Sequence, residues 1–179
     1  RLSGNGRWEV VKKAEAPLRT VLYDFTTADT PKEELFDFMA GLVDSALDGD
    51  KITPCLLGHT FSFPSEQEAL EDARLIIWTK EFAVPGVEGE CVNALLRQAL
   101  ERQGFANVTP VAVVNDTVAV LLAAAYQTED VFVGSIYATG HNICYLENFN
   151  GRQPKMILNM ESGGFSKLLP NVFDSALDR

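Results

Sequence analysis

The sequence predicts an α/β domain built on a mixed sheet, because apolar strand-like runs alternate with amphipathic helical segments along its 179 residues. A second observation is that several of those runs end in small polar residues. A third is the composition, 46% hydrophobic and 22% charged, which is that of a globular chain long enough to bury a substantial core. One domain, or one domain with part of another, is expected at this length.

RWEVVKKAEAPLRTVLYDF (7–25) begins the pattern. Val21, Tyr23 and Phe25 alternate with Leu22 and Asp24, and the segment reads as two antiparallel strands joined near Ala14 to Ala16. Thr30-Pro31-Lys32-Glu33 then supplies a capping hydroxyl, a proline at the first helical position and a carboxylate three residues after the cap. The helix it starts carries Leu35, Phe38, Met39, Leu42, Val43 and Ala46 on one stripe. PCLLGHTFSFP (54–64) reads as a strand that turns polar at its end, and Ser65 with Glu68 repeats the capping signature, predicting a short helix. ARLIIWTKEF (73–82) is another apolar run with a polar end. Val92, Leu95, Leu96, Ala99 and Leu100 fall at helical spacing, and Gly104 is placed to end that helix. VAVV (111–114) is a short strand, and VAVLLAAAY (118–126), apolar on every side, predicts a buried helix. Residues 131–159 read as a strand, a tight turn and further strands with an Asn150-Gly151 hairpin signal. The chain shows no internal repeat, low-complexity tract or long flexible linker.

A net charge of -10, with 15 scattered Lys and Arg, argues against nucleic acid as a partner, because neutralising a phosphate backbone needs clustered cations. No apolar run approaches the ~18 residues of a membrane span, and no signal-type segment opens the chain. It begins at Arg1 without Met, as a piece of a longer chain would. Cys55, Cys91 and Cys144 are odd in number, far apart and without metal-ligand spacing. Buried reduced thiols in a cytoplasmic protein are expected, and no metal ligand is assigned.

Four apolar runs deliver polar residues at their ends: Ser62 after LLGHTF, Thr79-Lys80 after LIIW, Asn115-Asp116-Thr117 after VAVV, and Thr139-Gly140-His141-Asn142 after VGSIYA. Ligands of open α/β sheets bind outside the carboxyl ends of strands, so these groups are candidates for one crevice. Hydroxyls and amides with one carboxylate suit a polyhydroxylated ligand, whose hydroxyls must each meet a donor or acceptor. Each also fits a purely structural role. Asn115 or Asp116 could cap the following helix, Ser62 and Thr79 could be turn residues, Lys80 could be a solvated charge, and Thr139-Gly140 could be an ordinary turn. His59 and His141 have no recognisable partner and read as structural or incidental. For Asp116 the charge-free helix shifts the balance. A carboxylate at the amino end of a buried helix meets the positive end of its dipole, away from bulk water, and could act as a general base toward a substrate hydroxyl.

LGHTFSFP (57–64), LIIWTKEF (75–82), VAVVNDTV (111–118), YATGHNICYLE (137–147) and ILNMESGGF (157–165) resemble, in order and approximate spacing, the successive motifs of the eukaryotic-type hexokinases. That resemblance implies the actin-like, ribonuclease-H-type ATPase fold, with residues 1–130 as the small domain and 131–179 as the beginning of the large one. It implies phosphorylation of a hexose, glucose first, at its 6-hydroxyl, with ATP and Mg²⁺ as cofactors. Carried across by position, Asp116 is the base. Ser62, Thr79, Lys80 and Asn115 hold the sugar from the small domain, Asn142 and Glu161 hold it from the large one, and Thr139 and Gly140 belong to the second phosphate-binding turn.

Departures from the family pattern are Ala138 in place of the first glycine of that turn, His141 where a small residue is usual, and no tryptophan after Glu161. Ala138 and His141 motivate an alternative, a hexokinase-like sugar-binding or sensing protein without catalysis. The family's first phosphate hairpin, its adenosine site and a second sugar-binding glutamate are not found within residues 1–179, so these residues alone are expected to be inactive. Strands after Val131 with unpaired edges predict self-association or disorder in the C-terminal third.

Overall fold

The computed structural model describes residues 2–138, 140–147, 156–164, Lys167 and Val172. The chain divides into two compact units, Arg1–Asp116 and Thr117–Arg179, which are taken in turn.

In the first unit, β1 (Leu2–Gly4) and β2 (Arg7–Trp8) form a short antiparallel pair. The two strands expected over 7–25 are otherwise absent, and residues 9–25 hold only an isolated bridge between Arg19 and Asp24. Local bonds outcompete the strand there, because the Thr20 hydroxyl accepts from the backbone N–H groups of Leu22 and Tyr23 and closes a turn. Val21 and Leu22 consequently point into solvent. Phe25 packs instead against Phe38 at 4.7 Å, with Tyr23 behind it, and this anchors the segment to the first helix.

That helix, α1 (Lys32–Leu47), buries Leu35, Phe36 and Ala40. Thr30 does not cap it, since Pro31 occupies the cap position and the Thr30 hydroxyl donates back to the Asp24 carbonyl at 2.9 Å. The helix α2 (Val92–Arg102) follows its predicted spacing, burying Val92, Leu95, Leu96, Ala99 and Leu100. Gly104, at φ +83°, ends it. β3 (Cys55–Thr60), which follows α1, pairs in parallel with β6 (Val108–Val114), which follows α2.

The Ser65 capping signature is overturned: residues Ser65–Ala69 form β4, the first arm of a hairpin with β5 (Asp72–Leu75). Tertiary bonds decide this. The Gln67 amide donates to the Val113 carbonyl at 2.8 Å, and the Val113 N–H donates to the Leu70 carbonyl at 2.8 Å, tying the hairpin to β6. The hairpin also supplies the missing cap of α2, since the Asp72 carboxylate accepts from the Asn93 N–H at 3.0 Å. Asn93 itself is fully buried; its amide nitrogen donates to the Glu71 carbonyl and its oxygen lies 3.3 Å from His59 Nδ1. His59 therefore has a partner that sequence reading missed. Leu75, Val84, Val87, Val92, Leu100, Phe105 and Val113 fill the core around it.

In the second unit, α3 (Asp116–Gln127) leads to an antiparallel sheet of β7 (Val133–Tyr137), β8 (His141–Glu147) and β9 (Met156–Asn159), in that order. Gly134 permits the contact between helix and sheet. A Cβ there would stand 2.6 Å from the Thr117 carbonyl oxygen and 2.9 Å from Leu121 Cβ, too close for any other residue. The expectation that α3 is buried all round fails: Thr117 and Leu121 are buried, but Val120 and Leu122 are 43% and 46% exposed. Asn150-Gly151 lies outside the described residues, although β8 and β9 on either side of it are antiparallel, as a hairpin requires. All three thiols are free; Cys144 is buried, while Cys55 and Cys91 are half-buried, short of the full burial expected. Among the described residues no helix is long and apolar enough to cross a membrane.

His59 gives the first unit a pH dependence. Burial lowers its pKa below the usual 6.5, outweighing the Asn93 hydrogen bond and the Asp72 charge, which raise it. The unfolded chain thus takes up a proton that the folded chain refuses, so this contribution is complete above 6.5 and is lost as pH falls below it. Asp24 and Asp50, lowered from 3.8 chiefly by their hydrogen bonds to Thr26 and Thr53, act only in a more acid window. The thermal midpoint should decline from about pH 7 to about pH 5, and His59→Gln, which keeps a donor toward Asn93, should flatten that decline.

Candidate functional site

In the first unit the register of the parallel pair places the candidates. Thr60 lies opposite Val114, and the Phe61 N–H donates to the Val114 carbonyl at 2.9 Å. Ser62 and Asn115-Asp116 therefore leave the sheet side by side at adjacent carboxyl ends, all three half-buried. Asp116 is the first residue of α3, where unsatisfied amides and the helix dipole favour a negative charge.

Thr79 and Lys80 arrive differently from the way their run predicted. β5 ends at Leu75, Ile76 and Ile77 are exposed, and a separate turn carries the pair, closed by the Phe82 N–H donating to the Thr79 carbonyl at 3.1 Å. Within it Lys80 and Glu81 both take left-handed backbone, φ +55° and +67°, at a cost of about 1 kcal/mol or more each. Aromatic packing offsets that strain. Trp78 and Phe82 stack at 5.1 Å, Phe63 meets them edge-on at 4.7 and 5.0 Å, and Trp78 Nε1 donates to the Val84 carbonyl at 2.8 Å. Such ring pairs contribute about 0.5–1.5 kcal/mol each beyond burial. The turn is thereby set so that Lys80 Nζ donates to the Ser62 carbonyl at 2.8 Å and lies 5.3 Å from the centre of the Phe63 ring. Ser62 and Lys80 are joined directly, and Thr79 is exposed beside Lys80.

In the second unit, Asn142 and Glu161 are brought together by a residue that sequence reading passed over, Asn159. Asn142 Nδ2 donates to Asn159 Oδ1 at 2.9 Å and to Glu161 Oε1 at 3.3 Å, and Asn159 Nδ2 donates to the same Glu161 oxygen at 2.6 Å. Thr117, next to Asp116 in the chain, donates from Oγ1 to Asn159 Oδ1 at 3.0 Å. No local pattern singles Asn159 out, because β9 ends there and Glu161 beyond it takes left-handed backbone at φ +47°.

Gly163 lets this group close up, since a Cβ there would stand 2.5 Å from the His141 carbonyl oxygen. His141 also has a partner against expectation, with Nε2 lying 3.3 Å from Ser135 Oγ. At the turn before it, the Ala138 N–H donates to the Gly140 carbonyl at 2.8 Å. Among the described residues beyond its chain neighbours, no atom lies within 4 Å of where a Gly140 Cβ would stand. Thr139 lies outside the described residues. Among the described residues, no three His, Cys, Asp or Glu side chains are grouped to hold a metal ion.

Amides that donate and accept, hydroxyls and carboxylates on an α/β frame are the equipment of a binder of polyhydroxylated ligands. Comparison with known proteins narrows that class. The family model for hexokinase matches residues 1–126. Hexokinase-2 of Rattus norvegicus is 39% identical over 159 residues, covering 82% of this chain and 17% of that protein. The solved hexokinase of Schistosoma mansoni, complexed with glucose, is 37% identical with a TM-score of 0.69, over 75% of this chain and 32% of its own. A further hexokinase crystal structure is 35% identical with a TM-score of 0.74, over 89% of this chain and 38% of its own. The chain thus belongs to the hexokinase family, a family of sugar kinases, and has the actin-like ATPase fold class of these neighbours. It spans between about a sixth and two fifths of their lengths.

The aromatic clamp on the Thr79–Phe82 turn is open to test. Phe82→Ala should free the stacked face of Trp78, shift its fluorescence emission to the red, and speed hydrogen exchange of the turn amides. Stability should fall by about 1–3 kcal/mol for a half-buried ring. Trp8, more than half exposed, contributes a constant background.

Proposed function

We propose that the polypeptide carrying these residues transfers the γ-phosphoryl group of ATP to the 6-hydroxyl of a hexose, in the cytoplasm. The observation that carries this reading is the position of Asp116, at the amino end of α3 and beside Ser62, which Lys80 already contacts. In the proposed step the Asp116 carboxylate takes the proton of the sugar 6-hydroxyl. That oxygen then forms a bond to the γ-phosphorus as the bond to the ADP oxygen breaks. Ser62, Thr79, Lys80, Asn115, Asn142 and Glu161 hold the sugar hydroxyls in line, while Thr139 and Gly140 face the phosphates. Mg²⁺, when bound with ATP, spreads the phosphate charge. The solution of a similar hexokinase with glucose supports glucose as the hexose to test first. The reading also assigns 1–130 to a small domain and 131–179 to the beginning of a large one.

A second reading has one feature in its favour: Ala138 carries a methyl group where the phosphate turn of the family has glycine. On that reading the protein binds or senses sugar without phosphorylating it. Calorimetry with glucose and with ATP, beside an assay of ADP release, separates the two, because a sensor binds sugar and releases no ADP.

For the polypeptide at its natural length, Asp116→Asn should keep glucose binding and lower phosphate transfer by about 10²–10⁴-fold. A variant with unimpaired transfer would show that Asp116 is not the base. For residues 1–179 alone, we expect no glucose-dependent ADP release. We also expect sedimentation that rises with concentration, because β7 and β9 are edge strands among the described residues. ADP release by residues 1–179, or a strict monomer, would contradict those two expectations in turn.

A further inference from the structure

We propose that Asn159 is a positioning residue of the sugar site, one that aims Glu161 and Asn142 and ties both to the Thr117 hydroxyl. The inference rests on the sugar reading given above and adds a residue that reading does not contain.

The row of residues across the sheet explains why Asn159 is placed to do this. In the ladder Gly134 pairs with Cys144, and Cys144 pairs with Asn159. This row lies beneath α3, because the absent side chain of Gly134 admits the Thr117 carbonyl and Leu121, and Cys144 is fully buried there. Asn159, at the far end of the row, is thus within reach of the Thr117 hydroxyl. Asn142 lies two residues before Cys144 on the same face of β8, the diagonal neighbour of Asn159. The last ladder bond runs from the Met160 N–H to the Ile143 carbonyl. Glu161 then turns away with left-handed backbone, φ +47°, so the ladder itself no longer holds it.

The hydrogen bonds allow one arrangement of the amides. Both lone pairs of Asn159 Oδ1 are used, by Thr117 Oγ1 and Asn142 Nδ2, which directs its nitrogen to Glu161 Oε1. Asn142 is held in the same way, with its nitrogen donating twice and its oxygen accepting from the Ile143 and Ser162 N–H groups. Turning either amide over would set oxygen against oxygen or N–H against N–H. Glu161 Oε1 accepts two of these bonds and Oε2 accepts neither, which makes Oε2 the proposed acceptor for a ligand hydroxyl. Asn159 is accordingly required as an amide: aspartate would face the Glu161 carboxylate with a second negative charge, and leucine would hold neither neighbour.

The test is glucose titration calorimetry on the polypeptide at its natural length. Asn159→Leu and the near-isosteric Asn159→Asp should each weaken glucose binding by about 10–100-fold with an unchanged circular dichroism spectrum. Glu161→Gln should also weaken it. If Asn159 acts through Glu161, adding Asn159→Leu to Glu161→Gln should cost little more, a non-additivity that a general structural role does not produce. Additive losses, unchanged affinity in both Asn159 variants, or an unfolded Asn159→Asp would each overturn the positioning role while the sugar reading stands. An unaltered polypeptide that binds no glucose would overturn the sugar reading and this role with it.

Discussion

The parallel pairing of β3 with β6 is the constraint from which the surroundings of Asp116 follow. Parallel strands point the same way, so their carboxyl ends open at one edge, and register decides which residues emerge as neighbours. With Thr60 opposite Val114, the neighbours are Ser62 and Asn115-Asp116. A one-residue slip would reverse which face each strand buries and move Val113 out of the core. Pairing of this kind also needs a crossover that packs back on the sheet, and α2, with six buried residues along one side, provides it. The same helix receives its amino-terminal cap from Asp72 in the β4–β5 hairpin, whose other arm is bonded to β6 through Gln67. Strand, helix and hairpin therefore stabilise one another, and Asp116 sits where that arrangement ends.

The second unit relies on a smaller device, the absence of a side chain at Gly134. Helix and sheet approach there more closely than a Cβ would allow, and a polar row continues from that contact toward the edge strand. Asn159 and Glu161 are themselves exposed, so their bonds form in competition with water and none is strong singly. Their value lies in geometry: four side chains satisfy one another in a single orientation, with both bonds to the Glu161 carboxylate made at one oxygen. An open polar surface of this kind suits a ligand that arrives with many hydroxyls, because each can replace a water molecule without leaving a protein group unpaired.

Strain is concentrated in the turn that bears Thr79 and Lys80. Two successive non-glycine residues in left-handed backbone persist only where packing over-determines them, and the Phe63, Trp78 and Phe82 rings do so. The Lys80 ammonium is consequently delivered to the Ser62 carbonyl, so two motifs far apart in the chain act as one surface.

Much of this was legible in the residues. Helical spacing located α2 and its terminating Gly104, the apolar run VAVV lay within β6, and the order of five short motifs identified the family before any contact was known. Asp116 and its neighbours were visible as polar interruptions of apolar runs. Where local chemistry was ambiguous, the sequence alone was misleading. Ser65 with Glu68 satisfies a capping pattern, yet those residues form a strand because Gln67 and Leu70 find partners on β6. Val21 to Phe25 alternate like a strand, yet Thr20 closes a turn among them. Asn159 was overlooked because its role depends on what lies across the sheet and above it, on Cys144, Gly134 and Thr117, and no local pattern brings those three together. Periodicity and motif order are properties of neighbouring residues, and so the sequence by itself determined α2, the core of β6 and the family. Caps, register and hydrogen-bond partners come from residues dozens of positions apart, and only the tertiary structure decided them.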